Sequence, residues 1–302
     1  MLVGYTGFVG SNLRLSHNFQ YLINSKNIAT AFGVCPDTLI YSGVPAEMFI
    51  ANQYPEKDQQ IIENAMENIR KIAPKKVVLI STVAVYDCTK DVDEDYEPDP
   101  DQLTPYGRNR LALEKWVAEN YEQHLILRLP AIYGENLKKN FIYDYINVIP
   151  AMLTEAKYQE LAAKDSLVAS SYYPLGNGFY KCSDLDRDTR EQLKRSFKAL
   201  GFSALNFTDS RSVYQFFGLK DLYGYITDCL DRGIRKLNLV TPPVSVGALY
   251  HYLTGEHFEN ITGKPPFDYN IKTKHFRDGY VISKEAELLQ IKQFVDAKTS
   301  GA

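Results

Sequence analysis

Through its first half the chain alternates short apolar runs with stretches of helical periodicity, which commits it to strand-helix-strand units around a mostly parallel sheet. The runs predict strands at residues 1–3, 20–23, 38–41, 77–80 and 125–129. Between the third and fourth, Ile61, Ile62, Ala65, Met66, Ile69 and Ile72 recur at helical spacing with Pro74 just beyond, so a helix should lay this stripe on the sheet. After about Asn140 the pattern loosens. "SSYYPLGNGFYKCSD" is rich in turn formers and aromatics, and a helix over residues 186–200 should then bury Leu193, Phe197 and Leu200 and end at Gly201. "KLNLVTPPVSVGALYHYLTG" reads as a strand, a Pro-containing turn, and a helix capped by Ser245 and ended by Gly255.

Charge narrows the partners. Lys and Arg number 34 against 37 Asp and Glu, a net charge of −3 with the signs interspersed, so neither nucleic acid nor an anionic membrane surface is favoured. The start "MLVGYTGFVG" lacks a basic n-region and a long apolar stretch, which argues against secretion or a membrane span. Cys35, Cys88, Cys182 and Cys229 form no CxxC pair and read as reduced thiols in a cytoplasm, where the Asn-x-Thr triplets at Asn206 and Asn260 carry no glycosylation meaning.

"LVGYTGFVGSNL" places Gly4, Gly7 and Gly10 three residues apart, after a strand and before a helix. Glycines allow a tight turn, close approach of a pyrophosphate to the main chain and close helix-strand packing, while the helix amino terminus attracts negative charge. A plain strand-turn-helix with incidental glycines is the alternative. The second strand ends in "INSKN", with no acid to grip an adenosine ribose. Asn24, Ser25 and Lys26 offer donors and one positive charge, which favours NADP over NAD, with a solvated loop lysine as the competing view.

"VVLISTVAVYD" is an apolar strand ending in hydroxyl residues, and "TPYGRNRLALEK" follows as the start of a helix. With the glycine loop, "LRLPAIYGE" and "LNLVTPPVSV", these motifs resemble the extended short-chain dehydrogenase/reductase family, the NAD(P)-dependent epimerase and dehydratase group acting mostly on nucleotide sugars. The resemblance covers most of the chain. It implies an α/β fold, a Rossmann doubly wound parallel sheet, with residues 1–140 as the NAD(P)-binding domain and 141–302 completing the sheet and forming a smaller substrate lobe. It places Gly4, Gly7, Phe8, Val9, Gly10, Asn24, Ser25, Lys26, Ser81, Tyr106 and Arg110 at the cofactor. Tyr106 would be the general acid/base and Thr82 would bond the same substrate oxygen.

A phenol needs a neighbouring cation to ionise near neutrality. The family supplies a lysine four residues after the tyrosine; here the position is Arg110, whose guanidinium lends charge but no proton relay. Lys115, nine residues along, faces elsewhere. The alternatives are a strand-end hydroxyl satisfying backbone at Thr82 and a rim aromatic at Tyr106. Val83 and Ala84 replace the Asp-Glu pair of the dehydratases, which disfavours 4,6-dehydration. Ala131 stands where epimerases often place an asparagine that binds the nucleotide diphosphate, leaving Arg211 to meet a phosphate or to pair with Asp209.

The five histidines show no metal spacing and read as surface or packing residues. "NIKTKHF" reads as a solvated strand, and the absence of a Gly-x-Ser-x-Gly elbow leaves a hydrolase unsupported. The expectation is a cytoplasmic NAD(P)-dependent oxidoreductase or epimerase acting on a sugar-like small molecule without metal, with a non-catalytic cofactor sensor as the alternative. Oligomeric state stays open, a homodimer among the options.

Overall fold

Six parallel strands form the central sheet of a computed structural model of the chain, in which residues 1–299 are described. They are β1 (Leu2–Val3), β2 (Leu22–Ile23), β3 (Thr38–Tyr41), β4 (Lys76–Thr82), β5 (His124–Leu129) and β6 (Lys236–Asn238), in the spatial order β2-β1-β3-β4-β5-β6. The order reverses between β1 and β3, and in open α/β sheets the crevice beyond the carboxyl ends of the strands at such a point is where ligands bind.

Side-chain alternation assigns the two faces of the sheet. Leu2, Ile40, Val78, Leu125, Leu127 and Leu129 share one core with Leu13 of α1 (Phe8–Ser16), while Val3, Leu39, Tyr41, Val77, Leu79 and Ile126 share another. The second core is covered by Ile62, Ala65 and Ile69 of one helix and Leu113 and Val117 of another. Helices α2 (Met48–Gln53), α3 (Pro55–Ile72) and α4 (Pro105–Asn120) follow in the chain, and α5 (Leu222–Asp231) adds Ile226 and Cys229 to the first core. Covered on both faces, the strands are apolar at most positions, as a doubly wound parallel sheet requires.

The expected strands are found with small shifts: β1 and β2 are two residues long, and β4 reaches Thr82. The stripe on α3 differs at one place. Ile61 is exposed, and the buried row of Ile62, Ala65, Ile69 and Ile72 continues one turn earlier to Asp58.

Two units make up the chain. The first joins Met1–Leu137, Tyr214–Val244 and Asp268–Glu287; the second joins Lys138–Val213, Ser245–Phe267 and the described residues from Leu288 onward. Within the second, Met152–Thr154, Phe179–Cys182 and Tyr172–Pro174 pair antiparallel, and helix Arg187–Ala199 buries Leu193 and Phe197 before Gly201 turns at φ +64°. In the same unit the Ser245 hydroxyl accepts the Ala248 N–H to start helix Val246–Thr254, which Gly255 closes in the left-handed conformation.

"NIKTKHF" is not the solvated strand expected of it. Ile271 and Thr273 are buried, and the Gln215 side chain replaces a neighbouring strand: its carboxamide accepts the Ile271 N–H at 2.9 Å and donates to the Ile271 carbonyl at 2.9 Å. A buried backbone needs such partners, and here a side chain provides both. Among the described residues no helix is long and apolar enough to cross a membrane, and no group of three or more His, Cys, Asp or Glu is placed to hold a metal ion.

Candidate active site

The glycine loop lies where the strand order reverses. Gly4 leaves β1 with φ +89°, and a Cβ there would stand 2.5 Å from the Ser42 carbonyl oxygen that follows β3. A Cβ on Gly10 would stand 2.2 Å from the Gly4 carbonyl oxygen, so any side chain at either position displaces backbone. Gly7 is less constrained, with φ −76° and a nearest approach of 3.3 Å to the same oxygen.

Gly7 precedes the first turn of α1, where no side chain caps the helix and no acid stands. The first N–H groups of a helix have no intrahelical acceptor, and the helix dipole adds partial positive charge. Negative charge is therefore favoured beside the turn through Phe8, Val9 and Gly10. Asn12 ties this helix to the turn after Ala131–Tyr133: its amide donates to the Glu135 carbonyl at 2.8 Å and accepts the Glu135 N–H at 2.9 Å.

Residues 24–26 close the neighbouring strand end. Gly4 N–H donates to the Ile23 carbonyl at 2.7 Å, which sets the start of the loop against the end of β2. Asn24 accepts the Lys26 N–H at 2.9 Å and donates its own N–H to Asn27 at 2.7 Å, a folded turn that leaves Ser25 and Lys26 exposed.

On the other side of the reversal, α4 begins with Thr104 as cap and Pro105 as first residue. Gly107 lets this end approach the chain after β4, because a Cβ there would stand 2.2 Å from the Ala84 carbonyl. The approach brings Tyr106 near Thr82, whose hydroxyl accepts the Ala84 N–H at 3.1 Å and favours the ionised phenol. Asn52 of α2 accepts the Tyr106 N–H at 3.0 Å.

Arg110 sits one turn further, its guanidinium carbon 4.3 Å from the centre of the Tyr106 ring. That guanidinium is committed elsewhere as well: Nη1 donates to Asp58 Oδ2 at 2.5 Å and Nη2 to the Pro45 carbonyl at 2.7 Å, with both charged side chains buried. Burial raises the Tyr106 pKa above the usual phenol value, Asp58 adds to the rise, and Arg110 and Thr82 only offset them in part. Arg110 therefore favours the phenolate without making it the resting form.

Ser81 turns away from the crevice. Its hydroxyl donates to Glu114 Oε1 at 2.5 Å, and Glu114 accepts Arg128 Nη2 at 2.6 Å in a pair that is almost wholly buried. The Arg128 guanidinium lies 4.7 Å over the Tyr86 ring, and Tyr86 donates to the Asp93 carbonyl at 2.7 Å. Ser81 thus supports β4 and α4 from behind. Ala131 opens the strand Ala131–Tyr133, which pairs with Phe216–Gly218 and brings no polar side chain. In the second unit Arg211 grips Asp209 with Nε at 2.9 Å and Nη2 at 2.8 Å, leaving half of its side chain exposed.

The motifs assign no role to Asp58, Asn52, Glu114 or Arg128, yet a signal for three of them exists. Each of the charged three interrupts an apolar row: Asp58 in the stripe of α3, Glu114 beside Leu113 and Val117, Arg128 inside "LILRL". A charge in such a row is buried only with a partner.

Comparison with known proteins supports the fold. A dTDP-4-dehydrorhamnose reductase of Salmonella typhimurium is 28% identical over 164 residues, 47% of this chain and 55% of that protein, so the chain spans about half the length of the curated relative it matches. Two solved structures share the fold over nearly the whole chain. One is a UDP-N-acetylglucosamine 4-epimerase from Methanobrevibacter ruminantium in complex with UDP-N-acetylmuramic acid, at a TM-score of 0.61 and 13% identity, covering 100% of this chain and 98% of that one. The other is a dTDP-4-dehydrorhamnose reductase from Bacillus anthracis in complex with NADP, at a TM-score of 0.58 and 15% identity, covering 96% of each chain. The family model described as the RmlD substrate binding domain matches residues 1–154, and by that match over half its length the chain belongs to this family.

Proposed function

We propose that the chain is a cytoplasmic NAD(P)-dependent oxidoreductase or epimerase of the extended short-chain dehydrogenase/reductase type, acting on a nucleotide-sugar hydroxyl or carbonyl with Tyr106 as general acid/base. The carrying observation is that Tyr106, Thr82 and Arg110 meet beside the reversal of strand order at which Gly4 and Gly10 bare the backbone. The residues fit a dinucleotide, since the side-chain-free cradle, the uncapped helix turn and the exposed Lys26 suit a pyrophosphate and a 2′-phosphate. NADP is the preferred cofactor of this reading, and the Bacillus anthracis structure is itself a complex with NADP. When bound, the cofactor supplies or accepts the hydride.

The remaining work falls to this chain's own groups. The Tyr106 hydroxyl holds the proton exchanged with the substrate oxygen. The Thr82 hydroxyl, whose oxygen already accepts the Ala84 N–H, has its proton free to steady the phenol or that substrate oxygen. Asn24 and Ser25 frame the ribose end.

Fluorescence titration with NADPH and NADH tests binding, and a panel of dTDP- and UDP-linked sugars and keto sugars tests turnover. Failure to bind either cofactor refutes the reading. Binding without turnover across the panel would favour a non-catalytic cofactor sensor, the reading that the engagement of Arg110 with Asp58 supports.

A further inference from the structure

Asp58 stands out as a buried carboxylate that no motif accounts for. It projects from α3 into the start of α4, 5% exposed, where Arg110 Nη1 at 2.5 Å and Asn109 Nδ2 at 2.8 Å both donate to the same oxygen, Oδ2. The second arm of the guanidinium is held by the Pro45 carbonyl at 2.7 Å. Two other segments, α3 and the chain at Pro45, thus converge on one arginine of α4, and that arginine lies over the ring of Tyr106.

We propose that Asp58 is a positioning residue for Tyr106: by anchoring and partly neutralising the Arg110 guanidinium over the phenol ring, it sets the pH range in which Tyr106 exchanges a proton. This rests on the proposed role of Tyr106. A cation beside a phenol favours its ionised form, and a carboxylate behind that cation cancels part of the effect. Asp58 and Arg110 are the charged groups that act on the phenol, and Glu47 and Lys57 line the small crevice beside the carboxylate. With Asp58 in place the phenol keeps its proton in the resting protein and is ready to donate it. Without Asp58 the guanidinium is uncompensated and the proton is lost at lower pH.

The test follows Tyr106 by nuclear magnetic resonance of protein carrying carbon-labelled tyrosine Cζ, the Tyr106 signal being assigned by its loss in Tyr106→Phe. In Asp58→Asn the titration midpoint should fall by about one pH unit or more, and in Asp58→Glu, which keeps the charge, it should return toward wild type. A midpoint in Asp58→Asn that is unmoved or raised overturns the proposal. Should Asp58→Asn fail to fold, the double variant Asp58→Asn/Arg110→Met removes both buried charges together. Its midpoint should lie above wild type, because the nearer guanidinium outweighs the carboxylate, and an unchanged midpoint there overturns the proposal. Absence of cofactor binding or turnover would sink the proposed function while leaving these titrations readable; an unmoved midpoint in an active enzyme would sink only the role of Asp58.

Discussion

Arg110 lies over the ring of Tyr106 at 4.3 Å, one helical turn along α4, with the two side chains forming a single buried unit. The ring is therefore held by packing as well as by its hydroxyl. Tyr106→Phe should keep the fold and leave NADPH affinity within about twofold, while kcat falls by about a hundredfold or more, the size of a lost general acid/base. Undiminished turnover in this variant would refute the catalytic assignment.

The glycines of the loop are unequal in a way that melting and titration can read. Gly4→Ala meets the Ser42 carbonyl in a backbone conformation hostile to side chains, so it should lose about 1–3 kcal/mol of stability and bind NADPH poorly. Gly7→Ala keeps an ordinary φ and meets the Gly4 carbonyl oxygen only at 3.3 Å, a tight contact rather than an overlap, so it should lose clearly less stability than Gly4→Ala. Equal losses in both variants would contradict the geometry.

Lys26 is the exposed charge at the end of β2. Lys26→Glu should weaken NADPH more than NADH, and parallel titrations measure the difference. If wild type binds NADH tenfold better, a gap of about 1.4 kcal/mol, the loop does not select the 2′-phosphate.

Burial also marks a pH dependence in stability. Glu287 is 1% exposed and its pKa is pushed up to about 7 from an ordinary 4.5, chiefly by desolvation. The folded state then holds this proton where the unfolded state has released it, so stability falls as pH rises from about 4.5 to about 7 and is level above. The full loss is about 3 kcal/mol. Glu287→Gln keeps the acceptor for Thr241 and Phe216 but cannot ionise. Urea unfolding across this range should show a gap between variant and wild type that widens with pH; a constant gap would disprove the assignment.

The Glu114–Arg128 pair offers a check on what supports β4 from behind. Arg128→Met should cost about 3–5 kcal/mol because it strands a buried carboxylate, and adding Glu114→Leu should recover much of the loss. Urea denaturation of the single and double variants measures both.

Much of this architecture was readable before any coordinate. Alternation exposes both faces of each sheet strand, so Leu39 and Ile40 or Val77 and Val78 divide between two cores as their spacing demands. The glycine loop and the Tyr106 turn are local, and local chemistry marks them. What escaped is nonlocal: Asp58 and Arg110 are separated by most of α3, all of β4 and a long connection, and neither residue type alone announces the other. The role expected of Ser81 shows the same limit. A hydroxyl at a strand end can face the crevice or the interior, and Glu114, a residue of another element, decides for the interior.

The place of β6 at the sheet edge has a consequence for how the chain is made. β5 is apolar along most of its length and leaves the ribosome more than a hundred residues before its outer neighbour, Lys236–Asn238, exists. At ordinary synthesis rates that is a wait of roughly ten seconds with an unpaired, sticky edge. The nascent chain must be shielded over that interval, so slowing translation between these two segments should raise misfolding more than slowing it elsewhere.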